Sequence, residues 1–237
     1  VYWRLSRVQL GIGDELRDED GDEDAAMEVY DRGRTFAEQA IDADPDNNLG
    51  YYWNASNLGR WGETRGIMSS LRQAKPMRDL LEQSIRRDPE HADSYYVLGL
   101  LYARVPGGII SFGNTDYAVS LARKARDLHM QELRSGETDE EYYPISIELA
   151  SHITDRGWNE RKRRREVRDM REDLREAEGI LEESFYYEAT ADIPSAGDEE
   201  EARRILARVI DELEDDAAPG SRAARHLERA RELRDSL

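Results

Sequence analysis

Residues 88–102, DPEHADSYYVLGLLY, decide how the rest of the chain is read. Proline disfavours α geometry in the residue before it, so Asp88-Pro89 closes one helix. A second helix then opens, with Tyr95, Leu98, Gly99 and Tyr102 at i, i+3, i+4 and i+7. That spacing puts all four on one face, and the glycine lets a neighbouring helix come close.

Y-x2-L-G-x2-Y is the first-helix pattern of a tetratricopeptide repeat, with tyrosine in the tryptophan place. Upstream, Met77, Leu81, Ser84 and Ile85 read as the second helix of the preceding repeat. An earlier copy is visible. Phe36, Ala37, Ala40 and Ile41 lead to Asp44-Pro45, and Tyr51-Tyr52-Trp53 with Ala55 opens the next first helix. Pro45 to Pro89 and Tyr51 to Tyr95 are both 44 residues apart. An unmodified repeat is about 34 residues, so about ten extra residues are expected around residues 60–66. A third second helix follows at Tyr117, Ala118, Ala122 and Ala125. Its late start leaves about seven extra residues in VPGGIISFGN, residues 105–114. Both insertions fall between the two helices of a repeat, which predicts that they line one rim of the array.

Outside these copies, Trp3, Leu5, Val8 and Leu10 read as the end of a first helix, followed by an acidic loop over residues 14–24. A helix is expected over residues 141–157, and one long charged helix over 159–184. Residues 193–198 read as a turn with a helix cap, 199–213 as an amphipathic helix, and 222–237 as a final helix. No segment alternates with period two, so the predicted fold is all-α, a tetratricopeptide-like solenoid of helical hairpins with inserted loops. The expected organisation is one domain over 1–237, with clearer repeats in 1–135 and divergent helices in 141–237.

Bulk composition narrows the function. The net charge of −18 argues against general nucleic-acid binding. No run of about 18 apolar residues is present to span a membrane. The absence of cysteine removes thiol catalysis, disulfides and thiolate metal sites, and suits cytoplasm or periplasm alike.

Candidate chemistry is sparse. His91, His129, His152 and His226 are scattered without a metal-binding or triad spacing. The acidic stretch fails the EF-hand register, and the glycine-rich segment fails both phosphate-loop patterns. Residues 159–178 carry eight basic and seven acidic side chains and read as a solvated helix face, with docking of an acidic partner as the alternative. No catalytic residue, metal site or cofactor is expected. Aromatics are the more informative set. Tyr51, Tyr52, Trp53, Trp61, Tyr95, Tyr96, Tyr102, Phe112 and Tyr117 concentrate in one stretch. Most such residues pack helix on helix. Adjacent aromatics point about 100° apart, however, so some are expected to face a groove. Asn54, Asn57 and Asn114, together with Ile110 of the insertion, complete the candidate binding set.

Trp3-Arg4-Leu5, Tyr51-Tyr52-Trp53-x-Ala55, Gly59-x-Trp61, Leu98-Gly99-x2-Tyr102 and Pro106-Gly-Gly-x4-Gly113-Asn114-x3-Ala118 together resemble the T-component family of TRAP transporters. The helical pattern is also similar to the related regulator-of-microtubule-dynamics type of repeat protein. The resemblance implies a periplasmic protein, lipid-anchored through a segment upstream of Val1. It also implies docking to a TRAP solute-binding protein and holding of an apolar or organic-acid ligand. Three readings follow: an accessory component of solute uptake, a plain scaffold whose concave face binds a partner protein or peptide, and, least supported, an enzyme. Homo-oligomerisation is compatible with each.

Overall fold

The computed structural model describes residues 1–18, 21–108, 111–191, 195–215 and 217–237. Among them are eleven α-helices: α1 (Tyr2–Asp18), α2 (Glu23–Ala43), α3 (Asn48–Arg65), α4 (Ile67–Arg87), α5 (Ala92–Arg104), α6 (Thr115–Ser135), α7 (Tyr143–Arg156), α8 (Glu160–Glu176), α9 (Ile180–Phe185), α10 (Asp198–Glu214) and α11 (Arg222–Asp235). A 3-10 turn spans Tyr187–Ala189. The only extended pairing among the described residues is an isolated bridge between Gly107 and Gly113. The all-α, hairpin-built fold read from the sequence is the fold observed. The chain forms two compact units, Val1–Leu101 and Tyr102–Leu237.

In the first unit α1 packs on α2, α2 on α3, and α3 on α4, while α1 also touches α3. The 44-residue repeat is visible in its hydrogen bonds. Asp44 and Asp88 donate their backbone N–H to Ala40 and Ser84, closing α2 and α4 identically. Six residues after each proline, a tyrosine returns to it: Tyr51 donates its hydroxyl to the Pro45 carbonyl (3.1 Å), and Tyr95 to that of Pro89 (3.0 Å). The packing contact between successive helices repeats too. A Cβ at Gly50 would press on Ala40 and Ile41, and at the equivalent pair the Ser94 and Ser84 hydroxyls meet at 2.8 Å.

The insertion expected around residues 60–66 is not a rim loop. α3 and α4 are longer instead, at 18 and 21 residues, and a single residue joins them. That residue is Gly66, with φ +102° and ψ 171°, a conformation open to glycine alone. α4 runs through Pro76, whose missing N–H removes one bond from a 21-residue helix without ending it. The N-terminal reading is also corrected. α1 extends to Asp18 and α2 starts at Glu23, so most of the acidic stretch is helical, with Asp22 capping α2 through the Ala25 N–H.

In the second unit α7 is central. Ile147, Leu149, Ala150 and Ile153 pack against Ala202, Ile205, Leu206, Val209, Ile210 and Leu213 of α10, with Leu227 and Ala230 of α11 and Val119 and Ala122 of α6 completing the core. The predicted single helix over 159–184 is broken between α8 and α9, where Gly179 takes φ +88°. α8 is not wholly solvated either. Arg163, Val167 and Met170, at i, i+4 and i+7, are buried, and Met170 packs with Trp158 and Ala189. Gly197 occupies the N-cap of α10. Ile193 and Pro194 of the predicted turn lie outside the described residues.

Candidate functional site

The aromatic set divides between the two units. In the first, Tyr51 carries the Arg87 guanidinium 4.0 Å over its ring. Tyr52 is buried edge-on between Trp53 and His91, both at 4.8 Å. Trp53 also meets Arg7, and Trp61 stacks under Arg65 at 5.2 Å. Tyr95 is fully buried, while Tyr96 is half-buried one position further round the helix. Adjacent aromatics therefore diverge, as their 100° offset demands.

Asn57 is fully buried, and its amide donates to the Ser6 hydroxyl (3.1 Å), the Ser6 carbonyl (3.3 Å) and the Trp53 carbonyl (2.9 Å). These bonds join α1 to α3, so Asn57 faces no open groove. Its Oδ1 has no conventional partner and lies against Gly33, where a Cβ would sit only 2.2 Å away.

In the second unit Tyr102, Phe112, Tyr117 and Phe185 form one cluster. Phe112 meets Tyr102 edge-on at 5.3 Å, and Tyr117 stacks on Phe185 at 4.6 Å. The greasy insertion thus packs its phenylalanine inward. Backbone closes it: Gly113 donates to the Pro106 carbonyl (3.1 Å) and Asn114 to the Tyr102 carbonyl (3.0 Å). A Cβ on Gly113 would lie 1.8 Å from the Val105 oxygen, so only glycine fits the pinch. The Asn114 side chain caps α6 by accepting from the Asp116 and Tyr117 N–H groups. Ile109 and Ile110 lie outside the described residues.

What sequence reading missed is a buried charge cluster. Arg123 of α6, Arg156 of α7 and Arg163 of α8 meet Glu188 of the 3-10 turn and Asp198 and Glu201 of α10, all with side chains at most 5 % exposed. Arg156 grips Asp198 with two bonds of 2.9 Å and also pairs with both oxygens of Glu188. Arg123 holds Glu201 through bonds of 2.7 and 3.1 Å. Arg163 bridges Glu188 and Glu201 and donates to the Ala196 carbonyl. The Trp158 N–H donates to Asp198 at 2.8 Å, and the Trp158 ring lies 4.0 Å beneath Arg156. Burial alone would raise the Glu188 carboxyl, but hydrogen bonds from Arg156 and the charges of Arg156, Arg123 and Arg163 hold it down at about 2. Glu201 is likewise lowered, Arg123 and Arg163 outweighing its burial. With three cations and three anions the cluster is balanced and ties five elements together. A sequence signal existed. It marked burial and not pairing: Arg123 stands among Ala118, Val119, Leu121, Ala122 and Ala125 of α6, and Glu201 precedes Ile205 by four on the apolar face of α10.

Two of the histidines are built into the second unit. His129 accepts from the Tyr142 N–H at 2.8 Å, and His152 is buried, with burial pushing its pKa down. No group of three or more His, Asp or Glu side chains suited to a metal ion occurs among the described residues. None of their helices is long and apolar enough to cross a membrane.

The outer face of α1 has the features of an interaction surface. Its buried positions are small, Ser6 and Gly13, whereas Tyr2, Leu5, Val8 and Ile12 are 42, 39, 55 and 40 % exposed. Gly13 leaves room for the Tyr30 ring, whose carbons would stand 2.4 Å from an added Cβ. The inner face joins Ser6 and Gly13 with half-buried Trp3, Leu10 and Leu16, and the outer face keeps Leu5, Val8 and Ile12 as an i, i+3, i+7 apolar stripe, so the helix is apolar on two sides rather than one. Ile67, Met68 and Leu71 at the start of α4 add exposed apolar surface in the same unit.

Residues 1–105 match the sequence model of the family described as Regulator of microtubule dynamics protein 1-3. No curated protein matches the chain. Among solved structures, the chain is similar to a thermophilic TPR protein of Thermus thermophilus, with a TM-score of 0.41 and 16 % identity over 96 % of this chain and 98 % of that one.

Proposed function

We propose that the protein is a non-catalytic interaction scaffold whose first unit docks an apolar segment of a partner protein on the exposed face of α1. The observation that carries this reading is the exposed apolar stripe of α1, which lies opposite a face that is already apolar. Leaving Leu5, Val8 and Ile12 in water forgoes their burial, and a contiguous apolar stripe is the usual mark of a contact surface. The family match over residues 1–105 takes in the helix that bears the stripe and agrees with a helical repeat scaffold. The finer reading, an accessory component of a TRAP-type uptake system that meets a solute-binding protein in the periplasm, is supported by the sequence resemblance alone.

Photo-crosslinking in the native cell tests the proposal. A reactive amino acid replacing Val8 or Ile12 is expected to capture one defined protein, whereas the same group at exposed Arg32 on α2 is not. Equal labelling at all three positions, or cross-links only between copies of this chain, would overturn it.

A further inference from the structure

In the second unit α6 and α10 both pack on α7, and a cleft of about 230 Å³ lies between them. Four arginines line it, Arg123 and Arg126 from α6 and Arg204 and Arg208 from α10, with Ile205 as an apolar wall. In a chain of net charge −18 such a convergence of cations is unusual.

Three of the four have carboxylate partners. Arg123 is held by Glu201 and Glu188, Arg204 by Glu200, and Arg208 by Glu141 and Glu212. Arg126 is different. Its guanidinium makes no ion pair or hydrogen bond among the described residues, and its Nε is buried without an acceptor. The Nε atoms of Arg123 and Arg208 are buried and unpartnered as well. These Nε atoms are closed off from solvent, so the donors left for a ligand in the cleft are the terminal N–H groups of Arg126, which are not among the buried unpartnered atoms. Burial, followed by the charges of Arg208 and Arg123, lowers the pKa of Arg126 in spite of the nearby carboxylates of Asp127 and Glu141, so this cation gains from an added negative charge.

We propose that the α6–α10 cleft binds a compact oxyanion, a carboxylate or phosphate, with the unpaired Arg126 guanidinium as its principal contact. The planar fork of arginine matches both groups through paired N–H···O bonds. The volume falls below that of ordinary drug-sized pockets and suits a small acid such as phosphate or citrate. Asp127 of α6 and Glu201 of α10 also line the cleft and restrict it to an anion that reaches the arginines without touching them. This site is in the second unit and does not depend on the α1 surface.

Thermal unfolding in sodium phosphate, sodium citrate or sodium chloride at matched ionic strength and pH provides the test. Phosphate or citrate is expected to raise Tm saturably by a few degrees relative to chloride, and the anion that saturates at lower concentration identifies the preferred source. Arg126→Gln is expected to weaken that effect at least tenfold, while Arg161→Gln on exposed α8 leaves it intact. Side-chain NMR of the wild-type chain gives a second measurement that needs no variant, with the Arg126 Nε–H signal shifting on titration. Identical Tm in all three salts, an Arg126→Gln chain that responds as the wild type does, or an unmoved Arg126 signal would each overturn the proposal.

Discussion

Gly33 and Glu188 show how single positions are constrained. At Gly33 the helix α2 passes so close to the buried Asn57 side chain that an added methyl would overlap Oδ1 at 2.2 Å. Gly33→Ala is expected to destabilise the first unit by about 1–3 kcal/mol, despite the higher helix propensity of alanine. Urea unfolding checks this, and a stabilised variant would show that propensity outweighs the clash. Glu188 sits between three arginines. Glu188→Gln leaves their charge partly uncompensated in a buried place and is expected to cost about 3–5 kcal/mol. Neither constraint is legible in the sequence, because residues 33 and 57, or 123 and 188, become neighbours only through tertiary packing.

The proline turns are the part of the fold that local sequence shows best. Each is built from residues close in the chain: an aspartate that ends the helix, the proline, and a tyrosine six positions later. The two turns differ in exposure. Tyr95→Phe removes a hydrogen bond from a buried ring and is expected to cost about 1 kcal/mol, whereas Tyr51→Phe, at the exposed turn, is expected to cost less than half of that. Equal losses in chemical denaturation would argue that the turns are equivalent in energy as well as in geometry. The extra ten residues of the second repeat were countable but not placeable. Spacing cannot distinguish an inserted loop from two helices each extended by about a turn and joined at Gly66. The candidate site was legible to the same degree: the aromatics were identifiable, but which of them pack inward depends on neighbours. The outward stripe on α1 becomes conspicuous only once Ser6 and Gly13 are seen to face inward.

Across the whole molecule, acid is expected to act on the second unit through the charge cluster. Glu188 titrates at about 2 in the folded state, below the ordinary 4.5, so its contribution is complete above about pH 4.5. That contribution fades as pH falls from 4.5 towards 2, because the unfolded chain takes up the proton first. Glu201, also lowered, acts in the same direction. Denaturant titrations at pH 7, 4.5 and 3 are expected to show the wild type losing stability over this window more steeply than Glu188→Gln. Parallel curves would mean that the cluster does not govern the acid response.

The placement of Trp158 has an optical consequence. The other three tryptophans, Trp3, Trp53 and Trp61, belong to the first unit, so Trp158 is the sole indole of the second. It is 5 % exposed, with its N–H on Asp198 and its ring beneath Arg156. With phenylalanine at positions 3, 53 and 61, emission would come from this one ring. A red shift on acidification would then mark the moment when water reaches the arginine–carboxylate clasp.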